Sequence, residues 1–296
     1  MIHYTQCPVC ATENFHQVLS AKDYTVSQQQ FQIMECDKCH LRFTNDVPGQ
    51  DEIGPYYKSE NYISHSDTNK GIINRLYHIV RGITINGKKN TIKHFTKKAK
   101  GTILDIGCGT GVFLKSMKNA GWDVTGLEPD AGARKIANEL NGINTYGPER
   151  LFELPPHSFD AITLWHVLEH VHELHTYMEQ IKKLLSPGGH VFIAVPNYTS
   201  YDAAYYKEHW AAYDVPRHLY HFSPGSMINL LNAHGFALDK TLPMWFDSFY
   251  VSMLSEQYRS GKNNFFNAAL IAGISNLRAI GKVNNCSSLI YVAELK

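Results

Sequence analysis

An α/β fold built on a parallel sheet, with a small metal-stapled module in front of it, is what this sequence of 296 residues predicts. Three observations predict it. From residue 101 onward, short apolar runs alternate with helical stretches, the pattern of strands joined by crossover helices. The first of these runs, GTILDIGCGTG from Gly101, is a strand that enters a glycine loop and then a helix. Near the N-terminus lie two CxxC pairs, Cys7-Pro-Val-Cys10 and Cys36-Asp-Lys-Cys39, separated by 25 residues.

The elements follow in order. Residues 1–45 form one unit, with short strands and polar turns between the cysteine pairs. Four thiolates from two such knuckles suit tetrahedral Zn²⁺, so Cys7, Cys10, Cys36 and Cys39 are the expected ligands. A unit this small buries little apolar surface, and metal binding supplies folding free energy. Residues 46–100 are expected to be a linker rich in Pro, Gly and Tyr, followed by a helical cap. Ile72, Ile73, Leu76, Ile79 and Val80 recur at helical spacing, and a second helix is expected over Lys88–Lys98. Residues 101–296 carry the main domain. Helices are expected over Val112–Ala120 and Ala131–Leu140, with the strand WDVTGLEPD between them. SFDAITLWHV is the next strand. A helix over Tyr177–Leu185 then ends at SPGG, and HVFIAVPN is another strand. Ser223-Pro224 caps a helix that stops at Gly235. FALDKTLPMW and SSLIYVAELK read as strands on either side of a mostly helical insertion at about 248–285.

Composition narrows the functional classes. At 44% hydrophobic and 19% charged, the chain reads as an ordinary globular protein. It lacks the pattern of a secretory leader, and its longest apolar run, FFNAALIAGI, is too short to span a bilayer. A cytoplasmic protein with no membrane span is expected, and paired cysteines in that compartment read as metal ligands before disulfides. The net charge is +1, yet residues 70–100 hold nine Lys and Arg and no acid. That segment suits either an anionic partner or a solvated helix face. Near-neutral charge speaks against a large nucleic-acid footprint.

The glycine loop, Asp105-Ile-Gly107-Cys108-Gly109-Thr-Gly111, sits where a strand turns into a helix, and its glycines allow a ligand close to the backbone. A second acid, Glu128, ends the next strand, where it can hold ribose hydroxyls. Taken with FDAITLWHVLEHV, LLSPGGHVFIAVPN and SSLIYVAELK, the chain from about residue 100 resembles the class I S-adenosylmethionine (SAM) dependent methyltransferases. The ribbon followed by YYKSENYISH resembles a subgroup with an N-terminal zinc module, associated with sugar and cell-envelope chemistry. The resemblance implies a Rossmann-like, seven-stranded sheet whose last strand is antiparallel. It implies that Gly107, Gly109 and Gly111 approach the methionine and ribose parts of SAM. Glu128 would bind ribose and Asp105 would orient the loop, with Cys108 and Pro129 beside them. Many members carry an acid after the third strand that contacts adenine. Here TYGPERLFELPPHSFD offers Glu149 and Glu153, and the sequence does not choose between them.

His166-Val-Leu-Glu169-His170 matches the HxxEH pattern of inverted zinc proteases. That reading needs both histidines on one regular helix. Helix signals start only near His172-Glu173, which places His166 on a strand-to-helix loop and excludes the protease. The resemblance instead makes this the stretch after the fourth strand, with Trp165 and His166 lining the methionine end of SAM and His172 and His175 at the surface. A sharper alternative has His166, Glu169 and His170 hold a divalent ion, as certain RNA 2′-O-methyltransferases do with a related motif.

On the acceptor side, HWAAYDVPRHLYHFSPGSM gathers Trp210, Tyr213, Arg217, His218, Tyr220 and His221. Methyl transfer from a sulfonium needs an aligned acceptor and a group that takes its proton. His218 and His221 are candidate bases, three apart and on one face if helical, as is His166. The competing expectation is that Pro216 fixes a packing turn in which Arg217 pairs with a sheet-edge carboxylate. Tyr56, Tyr57 and Tyr62 are candidates to close over the site. The expected reaction is methyl transfer to oxygen or carbon of a small polar acceptor, a nucleotide-sugar or glycan precursor. The alternatives are a phenol or quinone O-methyltransferase and a non-catalytic SAM-binding module.

Overall fold

The computed structural model describes residues 1–57, 72–262 and 264–296. Eleven strands and eight helices appear among them. In chain order they are β1 (Phe15–Lys22), β2 (Gln30–Cys36), β3 (Arg42–Asn45), α1 (Ile72–Thr96), β4 (Thr102–Ile106), α2 (Val112–Asn119), β5 (Asp123–Leu127), α3 (Ala131–Asn141), β6 (Thr145–Tyr146), β7 (Phe159–Trp165), α4 (Leu174–Leu184), β8 (Leu185–Pro196), α5 (Tyr201–Tyr206), β9 (Tyr220–His221), α6 (Pro224–Ala233), β10 (Phe236–Pro243), α7 (Asp247–Ser260), α8 (Phe265–Ala279) and β11 (Ser288–Leu295). They make two sheets. One has four strands in the order β1-β2-β3-β9; the other has seven, in the order β10-β11-β8-β7-β4-β5-β6. The seven-stranded sheet is mostly parallel with its last strands antiparallel, the Rossmann-like arrangement expected.

The described residues group into two compact units. One is drawn from Met1–Tyr62, Leu168–His175 and Ala194–Tyr291, the other from Ile63–Val167, Thr176–Ile193 and Val292–Lys296. In the second unit, β4 pairs in parallel with β5 on one side and β7 on the other. Ile103, Leu104, Ala161, Ile162 and Leu164 are all fully buried. Consecutive buried residues mean that both faces of these strands are covered, which is why parallel strands read as unbroken apolar runs. The buried helix faces are Leu114 and Met117 on α2, Ala137 on α3, and Met178 and Ile181 on α4.

In the first unit, antiparallel β1, β2 and β3 carry the cysteine knuckles, and β3 takes β9 as a further partner, with Arg42 opposite His221 and Phe43 opposite Tyr220. One buried cluster joins Phe31 and Ile33 of β2 to Tyr206, Trp210, Tyr213 and Ile271. The N-terminal strands therefore share a core with α5, α8 and the segment between α5 and β9. Two cation–aromatic and hydrogen-bonded links reinforce it. Arg42 lies 4.2 Å from the Tyr198 ring and donates to the Tyr213 hydroxyl at 2.9 Å.

Several boundaries differ from expectation. The two helical runs before residue 100 are one helix, α1. Gly82 and Gly87 lie inside it and weaken it by roughly 1 kcal/mol each without stopping it. β8 begins at Leu185 and takes in the SPGG turn expected to precede it. α6 has the expected Ser223 cap, completed by Ser226 into a reciprocal capping box. Among the described residues, no helix is long and apolar enough to cross a membrane.

Candidate functional site

The glycine loop is built as its sequence requires. Gly107, Gly109 and Gly111 have φ of 75°, 54° and 75°, a region that costs any other residue strain. Gly107 also has no room for a side chain, because a Cβ there would lie 2.4 Å from Val167 Cγ2. Gly111 faces Ala137 of α3 at 3.1 Å in the same sense. Gly109 differs: among the described residues, nothing lies within 4 Å of a Cβ placed on it. That face of the loop is open to a ligand.

The acids hold the loop. Glu128, 8% exposed at the end of β5, accepts from the Gly109 amide through Oε2 and from the Asp130 amide through Oε1, both at 2.9 Å. Its carbonyl and that of Pro129 accept from Arg134 at 2.6 and 2.7 Å. Asp105 is buried on β4 and accepts from the Thr163 hydroxyl of β7 at 2.6 Å. Burial pushes its carboxyl up to about 7, although the Thr163 bond and the positive charge of Lys88 oppose the shift. Cys108 fills the space beside Gly126, and burial pushes its thiol up.

Trp165 ends β7 and His166 follows it. The Trp165 ring packs edge-on against Phe113 at 5.7 Å and lies under Lys88 Nζ at 4.1 Å. Its Nε1 is buried and, among the described residues, has no hydrogen-bond partner, as expected where a ligand completes the site. His166 takes φ of 57°, a conformation found at constrained functional positions in non-glycine residues. The open face of Gly109, the buried acids and this orphaned donor fit SAM. After β6, Glu153 pairs with Arg150 at 2.5 Å. Glu149 stands closer to the strand end.

The acceptor-side residues fall in the first unit. His218 and His221 are not on a helix. Pro216 follows a cis bond from Val215, His218 lies in a turn, and His221 is on β9. Both are buried, at 8% and 3% exposure. Thr44 donates its hydroxyl to the His218 carbonyl at 2.8 Å, so the 3.0 Å contact between its oxygen and His221 Nε2 has the histidine as donor. Burial holds His221 well below its usual pKa, so its ring is neutral. Arg217 is buried. It pairs with Asp214 through two bonds of 2.5 and 3.0 Å, approaches Asp23 just past β1 at 3.6 Å, and donates to the Tyr56 carbonyl at 2.9 Å. Burial alone would raise Asp214, but the Arg217 bonds outweigh it and hold the carboxyl low. The expected arginine–carboxylate packing turn is present, with Asp214 three residues away as its main partner instead of a sheet edge. Tyr57 bonds His170 Nδ1 at 3.1 Å; Tyr62 lies outside the described residues. His172, expected at the surface, is half-buried and reaches the Pro48 carbonyl at 3.0 Å.

The four cysteines converge, with their sulfurs within 4.8 Å of one another. Cys7 approaches Cys39, and Cys10 approaches Cys36, at 3.5 Å each. The two knuckles are built alike. The residue after each second cysteine, Ala11 or His40, has φ of 54° and donates its amide to the carbonyl of the first cysteine. A hydrogen bond with Cys39 holds the Cys7 thiol below its ordinary value. The donor set and its spread suit Zn²⁺. Sequence reasoning missed Glu169 as a neighbour of His218: their ligand atoms, with one from His170, lie within 4.8 Å of one another. No short-range pattern links positions 49 residues apart.

Comparison with known proteins agrees with this geometry. A family model described as a methyltransferase domain matches residues 87–241. A ubiquinone biosynthesis O-methyltransferase of Vibrio cholerae is 37% identical over 117 residues, covering 36% of this chain and 48% of that protein. Its counterpart in Photorhabdus laumondii is 38% identical over 102 residues, covering 32% and 42%. The chain thus spans about half the length of the curated relatives it matches. The magnesium protoporphyrin IX methyltransferase of Synechocystis PCC 6803, solved with bound SAH, has the same fold, with a TM-score of 0.52 at 13% identity over 78% of this chain and 90% of that one. The chain belongs to this methyltransferase family, the class I SAM-dependent methyltransferases.

Proposed function

We propose that the protein transfers the methyl group of SAM to an oxygen of a small phenolic or quinol acceptor. The O-methyltransferase names of the Vibrio cholerae and Photorhabdus laumondii relatives carry this choice over a sugar acceptor. An aromatic face at the start of α7 agrees with it: Trp245, Phe246, Phe249 and Tyr250 are 38–62% exposed and recur at helical spacing.

Bound SAM supplies an activated methyl on a sulfonium sulfur. The chain's residues do the rest. The Gly107–Gly111 backbone and Glu128 hold the cofactor, Glu128 through ribose hydroxyls. Asp105 braces the loop from β4. Trp165 offers its Nε1 to the bound molecule. Cys108 and Pro129 shape the wall, and Glu149, nearer the end of β6 in the chain than Glu153, is our assignment for the adenine contact. As the acceptor oxygen bonds to the methyl carbon, the carbon–sulfur bond breaks and its electron pair stays on sulfur. The acceptor proton leaves to a base, and His166 is our assignment. It is half-buried at the carboxyl end of β7, where open α/β sheets bind ligands. His221 is tied to Thr44 and fully enclosed, which suits a structural part. Cys7, Cys10, Cys36 and Cys39 hold a structural Zn²⁺, a closed site with no position for substrate.

The test is transfer from methyl-labelled SAM to separate panels of catechols, hydroquinones and nucleotide-sugars. Label on a phenolic oxygen is expected; label on the sugars alone would overturn the acceptor. His166→Ala is expected to lower kcat by roughly a hundredfold or more while SAM affinity holds. Unchanged turnover would remove His166 as the base.

A further inference from the structure

Glu169, His170 and His218 present one ligand atom each, and those atoms lie within 4.8 Å of one another. Glu169 and His170 sit on a short 3-10 turn, Leu168–His170. His218 arrives from the turn whose amide is anchored on the Asp214 carbonyl at 3.0 Å. The two segments are pinned by the Leu219 amide, which donates to the Glu169 carbonyl at 2.8 Å. Glu169 is 0% exposed and His218 8%.

The hydrogen bonds fix the tautomer of both rings. His170 Nδ1 lies 3.0 Å from the Arg217 carbonyl and 3.1 Å from the Tyr57 hydroxyl, which can accept as well as donate, and His218 Nδ1 lies 2.9 Å from the Ala212 carbonyl. A carbonyl only accepts, so each Nδ1 carries the proton and each Nε2 holds a lone pair. Metal-bound imidazoles are oriented this way, with the far N–H on a backbone carbonyl and the near nitrogen free to coordinate. The rings meet edge to face, with centroids 4.5 Å apart. A nitrogen of each ring and a Glu169 oxygen thus lie within 4.8 Å of one another in a buried space, where a cation is stabilised strongly, and Nε2 is the nitrogen each ring has left to coordinate. Asp214 Oδ2 stands 3.8 Å from that same Nε2 of His218, held there by Arg217, and adds negative charge beside the coordinating nitrogen.

We propose that Glu169, His170 and His218 form a second divalent-cation site, separate from the four cysteines. Two nitrogens and one oxygen suit a borderline ion such as Zn²⁺, Co²⁺, Mn²⁺ or Fe²⁺ and disfavour Mg²⁺. The HVLEH motif thereby contributes two ligands of its own and recruits its third from the PRHL segment; His166 belongs to the other compact unit. The site does not depend on the identity of the methyl acceptor.

The experiment titrates the zinc-loaded full chain with Co²⁺ and reads the visible and near-ultraviolet spectrum. The expected result is one further equivalent with weak ligand-field bands and no thiolate charge-transfer band. His170→Gln and His218→Gln should each lose that equivalent, while His16→Gln, an exposed control, should keep it. A wild-type chain that takes up no Co²⁺, or takes it up only with a thiolate band, overturns the proposal. So does a second equivalent that survives in both variants. Wild-type stoichiometry decides the matter even where a variant fails to fold.

Discussion

Asp105 shows what burial does to a carboxyl at the cofactor loop. Its folded-state pKa is about 7, against an ordinary value near 4. Between those values the folded chain keeps a proton that the unfolded chain has released. Asp105 therefore costs stability as pH rises from about 4 to about 7, and the cost is complete above 7. Asp105→Asn keeps an acceptor for Thr163 and removes the charge. In the cofactor-free protein it should raise Tm at pH 8 relative to wild type and change it little at pH 5. Equal shifts at both values would contradict this account. Residues of this kind were legible in the sequence by type and place, since an acid two positions before a glycine loop has few other uses. Their protonation was not, because desolvation depends on Thr163 and Lys88, which lie 58 and 17 positions away. His218 and His221 show the reverse. Their spacing suggested one helical face, but the edge of β3 captures His221 as a strand residue and turns His218 toward Ala212.

At the scale of elements, the loop between β4 and α2 divides its glycines by task. Gly107→Ala places a Cβ against Val167 in a left-handed backbone, and it should destabilise the chain by roughly 1–3 kcal/mol. Gly109→Ala meets no protein atom among the described residues, so its main effect should be weaker SAM binding with a smaller loss of stability. Denaturant midpoints and SAM titration of the two variants check the division; the opposite ranking would refute it. The strand–loop–helix order was readable because apolar runs, glycines and caps are local signals. The extent of α1 was not, because two interior glycines mimic a break that the continuous helix tolerates. The left-handed Ala11 and His40 carried no signal either, as neither residue type announces that backbone.

For the whole molecule, metal and fold are linked through the N-terminal strands. β3 follows the second knuckle and pairs with β9 through Arg42 and Phe43, and β9 begins two residues after His218. Stripping Zn²⁺ from the cysteines should therefore lower the Tm of the unit that carries these residues as well as loosening residues 1–45. Hydrogen exchange would show it as lost protection at the Thr44 and Leu219 amides, which are bonded to the Leu219 and Glu169 carbonyls. Unchanged protection at Leu219 after complete zinc removal would mean that the shared core alone holds the unit.

The sequence by itself determined the family, the parallel α/β sheet, the four-cysteine cluster and the glycine loop with its two acids. Each is written in residues close together in the chain, where spacing and backbone requirements leave few alternatives. Tertiary structure alone decided that the N-terminal strands share a sheet with β9 and a core with α8, that Arg217 reaches Asp23, and that His218 meets Glu169 and His170. These pairings join segments dozens to more than a hundred residues apart. They are selected by burial and hydrogen-bond satisfaction in the folded chain, which leave no periodic mark on the sequence.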